Sequence, residues 1–237
     1  YTEVDTLSLH DALPIFISLA KLKEEAKVYN PFGGLASFGI MLNDDQEYLG
    51  QEINDFTWAL AQLRLRAHGK ENRCNFELKN SLLNWNDEKR FDLIVAHPPF
   101  RLGVPKNLKS EIFNDSYTSV ENFLVEEGIH SLNNNGKLIT IFSLAFLFSG
   151  GREAKFRKWL IANELIDTII TLPSGLLSNT NIPVCVIIFR TIRTRPGYVK
   201  FIDASNFYRL NGPKYKVLDD QNLLDMINRD EENEFLR

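Results

Sequence analysis

Residues 91–100 read FDLIVAHPPF. An apolar run of strand character ends in His97, Pro98, Pro99 and Phe100. Consecutive prolines stiffen a loop and remove two backbone N–H donors, leaving carbonyl oxygens directed outward. Phe100 then stands where a planar ring can stack on a base. Taken alone, the stretch is equally an ordinary strand end, so its weight depends on what precedes it.

Three further stretches do precede it. VYNPFGGLASF (28–38) reads as strand, glycine-containing turn and helix. Gly33 and Gly34 let backbone approach a ligand, and the helix start offers free N–H groups. Asn30, Pro31, Phe32 and Ser37 complete this loop. It lacks G-x-G-x-x-G, which disfavours a nicotinamide cofactor, and a purely structural tight turn fits it as well. Glu52 lies 22 residues beyond Asn30, at the end of the second expected strand. An acid at that spacing commonly takes ribose hydroxyls; the alternative is a surface glutamate. In CNFELKNSLLNW (74–85), Asn80 and Ser81 either face the adenine of a cofactor or cap a turn. A glycine turn, a ribose-type acid and a Pro-Pro loop in this order carry more than any one of them.

The elements that must position these residues alternate along the chain. Strands are expected at 27–30, 48–53, 75–80, 91–97, 137–144, 165–172 and 184–191. Helices are expected near 35–43, 54–68, 119–132 and 152–163, and NNNG (133–136) reads as a turn. Near-continuous apolar strands separated by helices predict an α/β fold with a mostly parallel sheet covered on both faces. The link between the last two strands has no helical pattern and favours an antiparallel hairpin, because a parallel crossover needs a dozen or more residues.

On NPFGGLASF, GQEIN, FDLIVAHPPF and the long closing stretch GKLITIFSLAFLFSGGREAKFRKWLIANELIDTIITLPSGLLSNTNIPVCVIIF, the chain resembles the modification subunits of type I restriction-modification systems. These are DNA adenine-N6 methyltransferases, and the resemblance covers roughly residues 27–205. It implies a Rossmann-like fold dependent on S-adenosylmethionine. It implies cofactor contacts from Asn30, Pro31, Phe32, Gly33, Gly34, Ser37, Glu52, Asn80 and Ser81. It also implies a catalytic loop at His97, Pro98, Pro99 and Phe100 that binds the amine of an adenine flipped out of duplex DNA. Expected partners are duplex DNA, a specificity subunit and a restriction subunit.

Four departures from that pattern stand out. His97 replaces a catalytic Asn; a neutral imidazole accepts a hydrogen bond, but an imidazolium only donates. Asn30 stands where many relatives have Asp, and Leu177 where an aromatic supports the base. The helical region and pocket wall that precede the domain in relatives have no counterpart, so a fragment is expected. In their place, TLSLHDALPI (6–15) resembles the translation of a sequencing adapter. Residues 1–15 are therefore expected as an artefact-like, poorly anchored tail, 16–205 as the methyltransferase domain and 206–237 as an appendage. Other readings of the whole are an impaired subunit serving assembly and DNA clamping, and a protein or RNA methyltransferase with a similar loop.

Composition sets limits. With 44% apolar and 24% charged residues in 237, the chain reads as globular. No apolar run of 18 residues suggests a membrane span. Cys74 and Cys185 form neither a disulfide framework nor a metal-ligand spacing, so a reducing cytoplasm is expected and no metal site. The net charge is −4, of which −5 lies in residues 219–237. REAKFRK (152–158) and RTIRTRPGYVK (190–200) are either solvated surface or phosphate contacts. Only 46 residues follow VCVIIFRT, too few for a base-reading domain, so target specificity is expected from another chain.

Overall fold

The computed structural model describes residues 13–87, 90–176, 182–193, 195–211, 215–228 and 234–236. Helix α1 (Leu13–Ala20) leads into β1 (Lys27–Asn30), the short α2 (Ser37–Met41), β2 (Glu47–Glu52), α3 (Asp55–Ala67), β3 (Cys74–Leu78) and β4 (Phe91–Ala96). A small ribbon, β5 (Lys109–Ser110) and β6 (Asp115–Ser116), precedes α4 (Val120–Ser131), β7 (Leu132–Ser143), a 3₁₀ turn (Leu144–Leu147) and α5 (Gly151–Ala162). Then come β8 (Ile166–Thr171), β9 (Val184–Arg190), β10 (Val199–Asp203), β11 (Tyr208–Asn211), β12 (Tyr215–Leu218), α6 (Asp220–Asn228) and β13 (Glu234–Leu236).

Nine strands form one sheet in the order β13-β10-β8-β9-β7-β4-β1-β2-β3. Strands β1, β2, β3, β4 and β7 run parallel. Strand β9 inserts antiparallel between β7 and β8, as the short link predicts. Successive residues point to opposite faces: Leu93 and Val95 join one buried cluster, Ile94 and Ala96 the other. Both faces are covered, which explains why β4 and β9 are almost uniformly apolar.

Local chemistry sets the helix ends. The Asn54 side chain accepts from Thr57 N–H at the start of α3, and Ser119 caps α4 through Asn122 N–H. The expected turn at 133–136 is absorbed into β7 as a bulge. Phe91 pairs with Leu132 and Leu93 with Lys137, so those four residues lie opposite Asp92 alone. Asn133 Nδ2 donates to Asp92 Oδ1 at 2.8 Å, and a Cβ at Gly136 would sit 2.8 Å from the Phe91 carbonyl oxygen.

Described residues on either side of the expected 16–205 domain also enter the core. The tail expected over 1–15 overlaps α1, where Ile15 and Phe16 are buried. Lys137 Nζ donates to the Leu19 and Ala20 carbonyls and so caps α1; burial pushes this ammonium down to about 8. In the expected appendage, α6 packs on α1, Leu218 and Leu223 are buried, and β13 pairs with β10. The acidic character of that stretch hides an apolar stripe at helical spacing, Leu223, Leu224 and Ile227.

At the other end of the sheet, the Phe76 ring on β3 fills space left by two glycines. A Cβ at Gly33 would lie 2.4 Å from the ring, and one at Gly50 2.3 Å from it. Tyr48 stacks on the same ring with centroids 6.4 Å apart, which restricts its retreat. Gly50→Ala is therefore expected to destabilise the fold by about 1–3 kcal/mol, as overpacking does. Adding Phe76→Leu should recover part of that loss, measured as urea unfolding midpoints of the single and double variants.

Candidate functional site

The parallel strands β1, β2, β3 and β4 all deliver their carboxyl ends to one edge, where an open α/β sheet forms its crevice. The loop after β1 crosses the end of β2. Gly33 N–H donates to the Gln51 carbonyl at 2.8 Å, and Gly34 N–H to Glu52 Oε2 at 3.0 Å. Glu52 Oε1 accepts from Asn54 N–H at 2.8 Å. Each carboxylate oxygen keeps further acceptor capacity, so Glu52 can hold the loop and still bind hydroxyls. Gly34 has φ 52° and Ala36 φ 54°. Left-handed backbone at Ala36, a residue with a Cβ, is the kind of local strain that clusters at ligand-binding loops.

Other residues of this group carry structural duties. Asn30 Oδ1 accepts from Phe32 N–H at 3.2 Å and shapes the turn. Ser37 Oγ and the Leu35 carbonyl both accept from Arg64 Nη1, which straps the loop to α3. Asn80 caps its own turn by accepting from Leu82 N–H at 3.0 Å. The buried Ser81 hydroxyl donates to the Pro31 carbonyl. These last two contacts favour the capping reading of 80–81, while placing both residues beside the loop after β1. Beneath the loops, Tyr29 O–H donates to Gln51 Oε1 at 2.7 Å, and Gln51 Nε2 donates to Glu77 and the Asn84 carbonyl. The sequence reading missed this network, since Gln51 looks like one more residue of an apolar strand.

The His97–Phe100 loop leaves β4, the neighbour of β1. Pro98 is buried, Pro99 is exposed, and the Pro99 carbonyl accepts from Leu102 N–H at 3.2 Å. The rings of His97 and Phe100 meet edge to face, with centroids 5.4 Å apart. Arg101 follows with φ 58°.

Residues 14–234 match the family described as N-6 DNA Methylase. The chain belongs to that family. It is 30% identical over 190 residues to the type I restriction enzyme MjaVIII methylase subunit of Methanocaldococcus jannaschii, covering 72% of this chain and 33% of that protein. It is 27% identical over 180 residues to the type I restriction enzyme MpnII methylase subunit of Mycoplasma pneumoniae, covering 67% of this chain and 33% of that one. In fold it is similar to the type I restriction-modification system methyltransferase subunit from Streptococcus thermophilus, with a TM-score of 0.82 at 24% identity over 92% of this chain and 51% of that chain. A class I S-adenosylmethionine-dependent methyltransferase from Listeria monocytogenes has a TM-score of 0.65 at 17% identity, covering 84% of this chain and 65% of that chain. The chain thus spans a third to a half of the type I subunits named here.

Within the His97–Phe100 loop, burial sets the state of His97. Its Nε2 is buried and has no hydrogen-bond partner among the described residues. Desolvation pushes its pKa down to about 4, so the ring is neutral at pH 7. Leu177 lies outside the described residues. The basic stretches are largely spent inside the fold. Arg152 pairs with Asp115 at 2.8 Å, and Arg157 donates to the Phe146 and Ser149 carbonyls. Arg190 and Arg193 flank Asp167. Only Lys155 and Lys158 of the first stretch remain fully exposed.

The depressed His97 pKa has a stability consequence. Between about 6.5 and 4 the unfolded chain binds a proton that the folded chain refuses, so stability falls as pH drops through that window. Wild-type protein should lose about 2 kcal/mol more than His97→Asn between pH 7 and pH 5. Paired urea titrations at the two pH values measure the difference; parallel losses would place His97 in water.

Proposed function

We propose that this chain is the catalytic core of a DNA adenine-N6 methyltransferase of a type I restriction-modification system. In this reading it works with a specificity subunit that selects the site, and with a restriction subunit. Family membership carries the reaction class. The shared edge of Glu52, the glycine loop and the His97–Phe100 loop carries the assignment of residues.

The residues present fit S-adenosylmethionine. Glu52, an acceptor with spare lone pairs at the end of β2 beside the glycine loop, suits a ribose diol. Asn30, Pro31, Phe32, Gly34 and Ser37 would frame the same ligand, with Asn80 and Ser81 on the adenine side. When bound, this cofactor supplies an electrophilic methyl group. The protein's part is to hold the target amine and direct its lone pair. An adenine amine donates hydrogens, so the loop must offer acceptors: the Pro98 carbonyl and a neutral His97 nitrogen. Phe100 would stack on a base withdrawn from the duplex. Burial keeps His97 neutral, which favours acceptance. Its sealed Nε2 requires the ring to turn before that atom meets a substrate.

That sealed nitrogen also supports a second reading, a methyltransferase-fold subunit that clamps DNA with little turnover. One experiment separates the two. In the assembly with its specificity subunit, His97→Asn should raise methyl transfer from labelled cofactor to duplex DNA by about 10²–10³, the worth of one well-placed transition-state hydrogen bond. Equal rates would show that His97 already serves as the acceptor.

A further inference from the structure

The segment that follows the proposed catalytic loop, RLGVPKNLK (101–109), carries three cations and no acid. Arg101, Lys106 and Lys109 are all exposed, and none forms an ion pair among the described residues. Lys109 Nζ donates to Ser116 Oγ at 3.1 Å and keeps two further donors. The acids nearby are accounted for: Asp115 pairs with Arg152, and Glu111 is exposed beyond the basic run.

This strap is fixed on both sides. Leu102, Val104 and Leu108 pack on a cluster built from Leu82, Tyr117, Val120 and Phe123, where Phe32 of the glycine loop also packs. At its far end, the buried Glu126 carboxylate of α4 accepts from Ser110 Oγ at 2.7 Å, Glu111 N–H at 2.5 Å and Ile112 N–H at 3.4 Å. Tyr117 O–H donates to Glu127 at 2.8 Å. A carboxylate only accepts, so Glu126 suits a turn whose N–H groups converge on it. Cations on a latched strap give up less conformational freedom on binding a polyanion than cations on a loose loop.

We infer that the strap is the duplex-facing phosphate site: Arg101, Lys106 and Lys109 contact the DNA backbone beside the target base. This rests on the proposed reaction and moves the phosphate contacts away from 152–158 and 190–200, most of whose arginines are engaged within the protein. The partner follows from charge complementarity and from continuity with the His97–Phe100 loop.

The test is the salt dependence of duplex binding by the assembly with its specificity subunit. Each lost phosphate contact lowers the slope of log affinity against log salt by about 0.9. Arg101→Gln/Lys106→Gln/Lys109→Gln should lower it by about 2.7, and Lys106→Gln alone by about 0.9. Lys155→Gln/Lys158→Gln, on exposed α5 positions, should leave the slope unchanged. Should the α5 pair lower the slope while the strap variants do not, the assignment is overturned. A wild-type slope in every variant would overturn it as well. A wild-type assembly that neither binds nor methylates duplex DNA would instead overturn the proposed function.

Discussion

The Phe76 ring needs the space that two side chains would fill. It lies against Gly33 and Gly50, and neither position accepts a Cβ without displacing it. That contact brings the loop after β1 onto the end of β2, close enough for Gly33 and Gly34 to bond Gln51 and Glu52. The glycines thus serve close packing as well as conformational freedom. Trp58 Nε1 and Gln62 Nε2 both donate to the Phe76 carbonyl at 2.9 Å, so α3 is tied to the same residue. Ring, loop, acid and helix form one connected unit, and a disturbance at β3 reaches the crevice without touching a ligand contact.

Much of this was legible in the sequence because the signals are local. Strand periods, the helical run at 54–68 and the lack of helical pattern before Val184 each depend on a few neighbouring residues. The grouping of Glu52 with the glycine loop was also readable, since strand order and spacing place both at one sheet edge. Side-chain duties were not. Asn30, Ser37, Asn80 and Ser81 were read toward a ligand, yet each also forms a hydrogen bond that builds the loop itself. A polar residue near a site has two claims on its lone pairs, and only the geometry tells which is already met.

Two stretches toward the ends of the described residues show a related limit. Ile15 lies in a stretch set apart by its resemblance to foreign sequence, and α6 in one dominated by acids. Yet an apolar residue packs wherever an apolar surface is offered, and Ile15, Phe16, Leu218 and Leu223 all enter the same cluster. For the basic stretches the sequence left solvated surface and phosphate contact both open, and Asp167 and backbone carbonyls engage most of their guanidinium groups.

The insertion of β9 between β7 and β8 has a consequence for biosynthesis. As the chain leaves the ribosome, β8 emerges before either of its sheet neighbours, β9 and β10. β7 has β4 on one side and waits for β9 on the other. The half of the sheet from β1 to β7 can assemble as it is made, whereas β8 is an unpaired apolar strand until residues 184–190 arrive. Nascent chains that stall between those points display a bare strand edge, the kind of surface that holdase chaperones cover and that drives aggregation.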